Sequence, residues 1–157
     1  MLEIYVDGDA CPVKAEIERV AARHGISVTI VSNGGLRPSR NPLLRYVLVH
    51  ERADSADDWI AEHIGENDIA VTGDIPLASR CLRRGARVLA PTGRPFTEAG
   101  IGLALGLRDL HRHLRESSGQ QTSNAGFLPR DRSRFLSALE NEIQAVRRIF
   151  AGRSVGG

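Results

Sequence analysis

Runs of aliphatic and β-branched residues alternate with three- and four-residue apolar periods through about residue 90, and that alternation admits few architectures. Strands are predicted over Glu3 to Val6, Val28 to Ser32, Tyr46 to His50, Ile69 to Thr72 and, shorter, Arg87 to Ala90. Between them Val13, Ile17, Val20 and Ala21 recur at helical spacing, as do Ala56, Ile60 and Ile64, then Leu77, Cys81 and Leu82. Strand–helix alternation implies a mostly parallel sheet with helices on both faces, joined by right-handed crossovers. The exception is GGLRPSRNPLLR, whose glycines and prolines predict a loop between the second and third strands.

Past Pro91 the pattern changes. TGRPFTEAG reads as loop, and Ile101, Leu105, Leu107, Leu110 and Leu114 suggest one or two further helical segments. ESSGQQTSNAG reads as a surface loop. A last helix is capped by Asp131 or Ser133 and carries Phe135, Leu136, Leu139, Ile143 and Val146 on its apolar face. At 157 residues the chain is the size of one domain, expected over residues 1–150, with 151–157 a disordered tail. The expected fold is a three-layer, Rossmann-like α/β domain with four to five mostly parallel strands and extra C-terminal helices.

In open parallel sheets ligands bind at the carboxyl ends of the strands, and there the acids collect. Asp7 and Asp9 follow strand one, and Asp74 directly follows strand four in VTGDIPLA. Asp54, Asp57 and Asp58 open the helix after strand three in ADSADDWIAE. If strands one and four are neighbours, Asp7 and Asp74 meet across one crevice. Carboxylates sharing a site either hold a proton or bind a cation. Hard divalent ions such as magnesium take one or two protein carboxylates with waters and substrate phosphate. Helix capping is the competing explanation for Asp54, Asp57 and Asp74. Asp7 has no such alternative.

A formal charge of +2 is too small to argue for nucleic acid by itself. Arginines nevertheless gather in three groups, and Lys14 and Arg80 stand in the first turns after acidic loops, where each can contact a phosphate or neutralise an aspartate. Arg132 belongs to the last arginine group. Cys11 and Cys81 are too few for a disulfide scaffold and read as reduced, packed thiols, although a helix start beside Cys11 could lower its pKa. The five histidines show no metal-ligand spacing. No apolar run is long enough to span a membrane, and MLEIYVDGD enters a strand without a signal-like leader, so a soluble, cytoplasmic protein is expected.

The motifs DGDACPVK, DSADDWIAE, VTGDIPLASR, GIGLALGLRDL and DRSRFLSAL occur in this order, and with them the chain resembles the uncharacterised YaiI/YqxD family over about residues 2 to 147. Gly8 and Gly73 replace the family's usual alanines, and Gly100 its usual asparagine. That family is grouped with PIN-like domains, whose best-known members are magnesium- or manganese-dependent ribonucleases. The resemblance implies Asp7, Asp9 and Asp74 as catalytic acids and metal ligands, with Asp57 or Asp58 completing the set around Mg²⁺ or Mn²⁺. Lys14, Arg80 and Arg132 would then hold the phosphates of RNA or another nucleic acid.

Two other readings fit part of the pattern. A haloacid-dehalogenase-type phosphatase would use Asp7 as nucleophile and Asp9 as general acid, but no second aspartate follows Asp74 by a helical turn. A non-catalytic nucleic-acid-binding or regulatory protein would keep the fold and some acids without turnover.

Overall fold

The computed structural model describes residues 2–34, 40–49, 55–102 and 127–156. Its centre is β1 (Glu3–Asp7), where Ile4, Tyr5 and Val6 are all buried. A strand buried on both faces belongs inside a parallel sheet. β2 (Ser27–Ser32) lies on one side of it and β4 (Ile69–Val71) on the other, both parallel to it. β3 (Leu44–Leu48) and β5 (Arg87–Leu89) extend the parallel sheet, and β6 (Pro95–Phe96) returns antiparallel along β5. The order β3-β2-β1-β4-β5-β6 is that of a doubly wound sheet.

The helices α1 (Lys14–His24), α2 (Ser55–His63), α3 (Ile75–Arg83) and α4 (Pro129–Gly156) form the outer layers, and residues 98–102 are also helical. Ile4, Val6, Val28, Ile30, Val71 and Leu89 face a core closed by Ile17 and Val20 of α1 and by Phe135, Leu139 and Ile143 of α4. Tyr5, Val31, Ala70 and Val88 face the opposite core, closed by Ile60 of α2 and Leu77 of α3. The chain steps outward from β1 to β2 over the first face and from β4 to β5 over the second. Opposite steps on opposite faces are what a constant crossover handedness requires.

Several boundaries differ from the sequence expectation. α1 starts at Lys14, not Pro12, because Cys11 before the proline stays extended at φ −122° and ψ 107° and Val13 serves as N-cap. Gly25, left-handed at φ 67°, ends it. β3 lies two residues earlier than its apolar run suggested, because Leu44 is buried opposite Val28, while Leu48 is 76% exposed. A sixth strand occupies Pro95–Phe96, read from sequence as loop. α4 begins at Pro129, where a missing N–H is harmless, and the Asp131 carboxylate accepts a hydrogen bond from the Leu128 N–H at 2.8 Å. Its backbone remains helical through Gly156, in the segment where composition suggested fraying. The proposed cap Asp54, the helical leucines from 105 to 114 and the loop 116–126 lie outside the described residues. Among the described residues no helix is long and apolar enough to cross a membrane.

α4 runs alongside α1 in the same direction. Near their starts Arg132 donates to the Pro12 carbonyl and to Glu16 Oε1, each at 2.9 Å. Near the end of α1, Glu140 accepts from Arg23 and contacts His24 Nε2, both at 2.7 Å, and Arg147 donates to the His24 carbonyl. The first turn of α4 therefore reaches the carboxyl edge of the sheet, and its middle lies level with the opposite edge.

Candidate functional site at the carboxyl edge of the sheet

Asp7 is the last residue of β1, and side-chain alternation turns it to the face of Tyr5. Thr72, one residue beyond β4, lies on the same face. Its hydroxyl donates to Asp7 Oδ2 at 3.1 Å and accepts from the Asp74 N–H at 3.0 Å. One hydroxyl, only 2% exposed, thus joins the ends of neighbouring strands. Asp74 is itself the N-cap of α3, with Oδ1 accepting from the Leu77 N–H at 2.8 Å and proline in the first turn. Asp74 therefore both caps a helix and stands beside Asp7.

Asp9 follows in a single 3-10 turn, Gly8–Ala10. Its Oδ1 accepts from the Ser32 hydroxyl at 2.7 Å and from the Asn33 N–H at 2.9 Å, which ties the turn to the end of β2. The three acids thus sit where β1, β2 and β4 end, at the topological switch point. Asp7 is held above the usual carboxylate range. Burial raises its proton affinity most, the Thr72 hydrogen bond opposes this, and the charges of Asp9 and Asp74 raise it further. The site therefore favours a proton or a cation at Asp7.

The other sequence candidates are distributed over α1, α2, α3 and α4. Asp57 and Asp58 open α2, where their charge acts on Arg80, and Asp58 accepts from Arg80 at 2.7 Å. Arg132 is engaged by Glu16 and lies 4.9 Å over the Phe127 ring. Lys14 opens α1, half-buried, with no carboxylate at ion-pair distance among the described residues. Cys11 is not activated, since burial is the largest influence on it and pushes its thiol up. Cys81 is pushed up to about 12 for the same reason.

The residues not anticipated are Thr72, Ser32 and Asn33, which orient the acids. Their signal was a hydroxyl or amide at the carboxyl end of a β-branched run, and it was hidden because threonine and serine there also read as strand. Among the described residues two side-chain oxygens are buried without a hydrogen-bond partner, Asn33 Oδ1 beside the Asp9 turn and Glu16 Oε2 on α1.

Among the described residues no group of three or more histidine, cysteine or acidic side chains could hold a metal ion. The pair Asp7 and Asp74 matches only a hard cation that takes one or two protein carboxylates and completes its shell with water and substrate phosphate. Oxygen-only ligands, and a proton affinity at Asp7 raised first by burial and then by the charges of Asp9 and Asp74, agree with that kind of ion.

The profile of an uncharacterised bacterial family, YaiI/YqxD, matches residues 5–145. A UPF0178 protein of Mesorhizobium japonicum is 61% identical over 137 residues, covering 87% of this chain and 88% of its own. One from Parvibaculum lavamentivorans is 55% identical over 148 residues, covering 94% and 97%, and one from Agrobacterium fabrum 54% over 146, covering 93% and 95%. No solved structure matches the chain.

Proposed function

The chain belongs to the YaiI/YqxD family, and from the acidic edge of its sheet we propose that it is a divalent-cation-dependent nuclease that hydrolyses phosphodiester bonds, with RNA as substrate class. The observation that carries this reading is the Asp7–Thr72–Asp74 bridge across the switch point, with Asp9 beside it and Asp7 held at raised proton affinity. Asp7 and Asp74 would hold Mg²⁺ or Mn²⁺, with Asp9 nearby, tied to the end of β2. Such an ion, when bound, lowers the pKa of a coordinated water and neutralises charge on the leaving oxygen.

The chain's own residues set the geometry. Thr72 fixes one oxygen of Asp7, Leu77 fixes one oxygen of Asp74, and Ser32 with Asn33 fixes one of Asp9, so each carboxylate is oriented by a neighbouring element. Lys14, which opens α1 at the same edge, would receive the scissile phosphate. A phosphatase that attacks through Asp7 has less support, because α3 places Leu77 and Ala78 where a downstream acid would stand.

The test is cleavage of labelled single-stranded RNA with and without Mn²⁺, with p-nitrophenyl phosphate as the small ester, on the native chain and on Asp7→Asn and Asp74→Asn. Mn²⁺-dependent polymer cleavage, lost at least a hundredfold in both variants, is expected on the scale by which removing one charge-stabilising group slows catalysis, about 10²–10³. Turnover of the small ester alone, with phosphate trapped on Asp7, overturns it.

A further inference from the structure

Two cavities meet at Gly93 and Arg134, beside the site but not part of it. The first, about 490 Å³, is lined by Ala90, Thr92, Gly93, Arg94, Asp131 and Arg134. The second, about 500 Å³, continues between Pro95 of β6 and α4, past Ser133, Ser137 and Asn141. Together they make one groove that begins at the carboxyl edge, where Ala90 follows β5, and runs down α4.

Gly93 creates the junction. Its φ is +89°, and a Cβ there would lie 2.6 Å from the backbone carbon of Arg134. The turn is closed by hydrogen bonds from Gly93 N–H to the Ala90 carbonyl and from Ala90 N–H to the Arg94 carbonyl, each at 2.9 Å. Glycine thus lets the β5–β6 turn seat on the α4 backbone with Arg94 and Arg134 on either side.

Arg94 and Arg134 are exposed and form no ion pair among the described residues, unlike Arg80 and Arg132. The two acids of the groove are both engaged, Asp131 by the Leu128 N–H and Glu142 by Arg87. Ser133, Ser137 and Asn141 recur at one per helical turn, adding neutral hydrogen-bonding groups along the wall. Among the described residues no aromatic side chain lines either cavity, so the groove offers no platform for stacked bases. β5 is two strands from β1, about 10 Å at 4.8 Å per strand. A phosphate further along the same RNA chain spans that reach.

We propose that this groove, through Arg94 and Arg134, binds the phosphodiester backbone of single-stranded RNA adjacent to the acidic site. The choice of RNA rests on the nuclease reading above, but the groove is tested by binding alone. Fluorescence anisotropy of a labelled single-stranded oligoribonucleotide is followed across a salt titration in EDTA. The native chain, Arg94→Gln/Arg134→Gln and, as a same-helix control, the exposed Arg148→Gln are compared, with circular dichroism to verify folding.

Loss of two phosphate contacts should flatten the salt slope by about 1.4, at roughly 0.7 per contact. Affinity at low salt should fall roughly tenfold or more. Arg148→Gln should leave both unchanged. An unchanged slope in the double variant, or an equal change in Arg148→Gln, overturns the groove. Poly-glutamate bound as tightly as RNA and released by the same substitutions also overturns it, in favour of an acidic protein partner. Groove-dependent RNA binding without cleavage under Mn²⁺ supports the groove while removing the nuclease reading.

Discussion

Asp7 ends the central strand, whose three middle residues are buried, yet it is a carboxylate with two more nearby. Its folded pKa lies above 3.8, with burial the largest cause. A raised folded pKa means that folding favours the protonated form. The resulting stability is complete below the unfolded value near 3.8 and is lost as pH rises through the folded one. In cation-free protein at neutral pH the ionised Asp7 is therefore a net burden. Asp7→Asn, which keeps an oxygen for the Thr72 hydroxyl, should raise the melting temperature in EDTA at pH 7 by a few degrees, since ~1 kcal/mol corresponds to about 2–4 °C at this size. The gain should vanish below about pH 3.8. A lower melting temperature at pH 7 would contradict the assigned environment. Asp7 could be singled out from sequence because a strand-terminal acid without a helix to cap has little structural reason to be there. Thr72 could not, because its hydroxyl gains meaning only from the Asp7 that β1 brings beside it.

At the scale of elements, the pairing of α1 with α4 joins segments more than a hundred residues apart. Arg132 meets Glu16 across a separation of 116, and Glu140 meets Arg23 across 117. Helical periodicity marked both helices but carried no information on which charges would face each other. Arg80 therefore reads as a partner for either a phosphate or an aspartate, and is paired with Asp58, while Arg132 reads as a phosphate ligand although it is paired with Glu16. The strand Pro95–Phe96 escaped notice for a related reason, since two residues with a proline show no period. The helix pair also makes a pH prediction. His24 is the largest cause lowering Glu140, with Gln144 and Arg23 adding to it, from 4.5 to about 2. A depressed folded pKa contributes stability that is present above 4.5 and lost as pH falls through about 2. Because the Glu140 side chain is 33% exposed, the effect should be on the order of 1 kcal/mol or less. Urea midpoints of the native chain and Glu140→Gln should differ at pH 7, converge near pH 3 and coincide near pH 2. A constant difference across that range would show that the ion pair is not its source.

At the scale of the molecule, strand alternation was enough to anticipate a doubly wound sheet, and with it the meeting of Asp7 and Asp74. The composition of the site was less legible, because Asp57 and Asp58 share the acidic character of the site but lie with α3 and Arg80. What the topology adds is mechanical. Asp7 and Asp9 extend from β1 on the β2 side of the switch point, and Asp74 from β4 on the other. A cation shared by these acids would link the two halves of the sheet, so its binding energy would appear as resistance of the whole fold to unfolding. A ligand at a hundred times its Kd adds about 2.7 kcal/mol, which at this size is about 5–10 °C. Melting curves in increasing Mn²⁺ should rise by that amount and level off. Asp74→Asn should keep the α3 cap, since asparagine caps as well as aspartate, but lose the Mn²⁺ response, as should Asp7→Asn. Sodium chloride at matched ionic strength separates site binding from screening of the acids. An equal rise with sodium, or a Mn²⁺ response retained in both variants, would place the ion elsewhere.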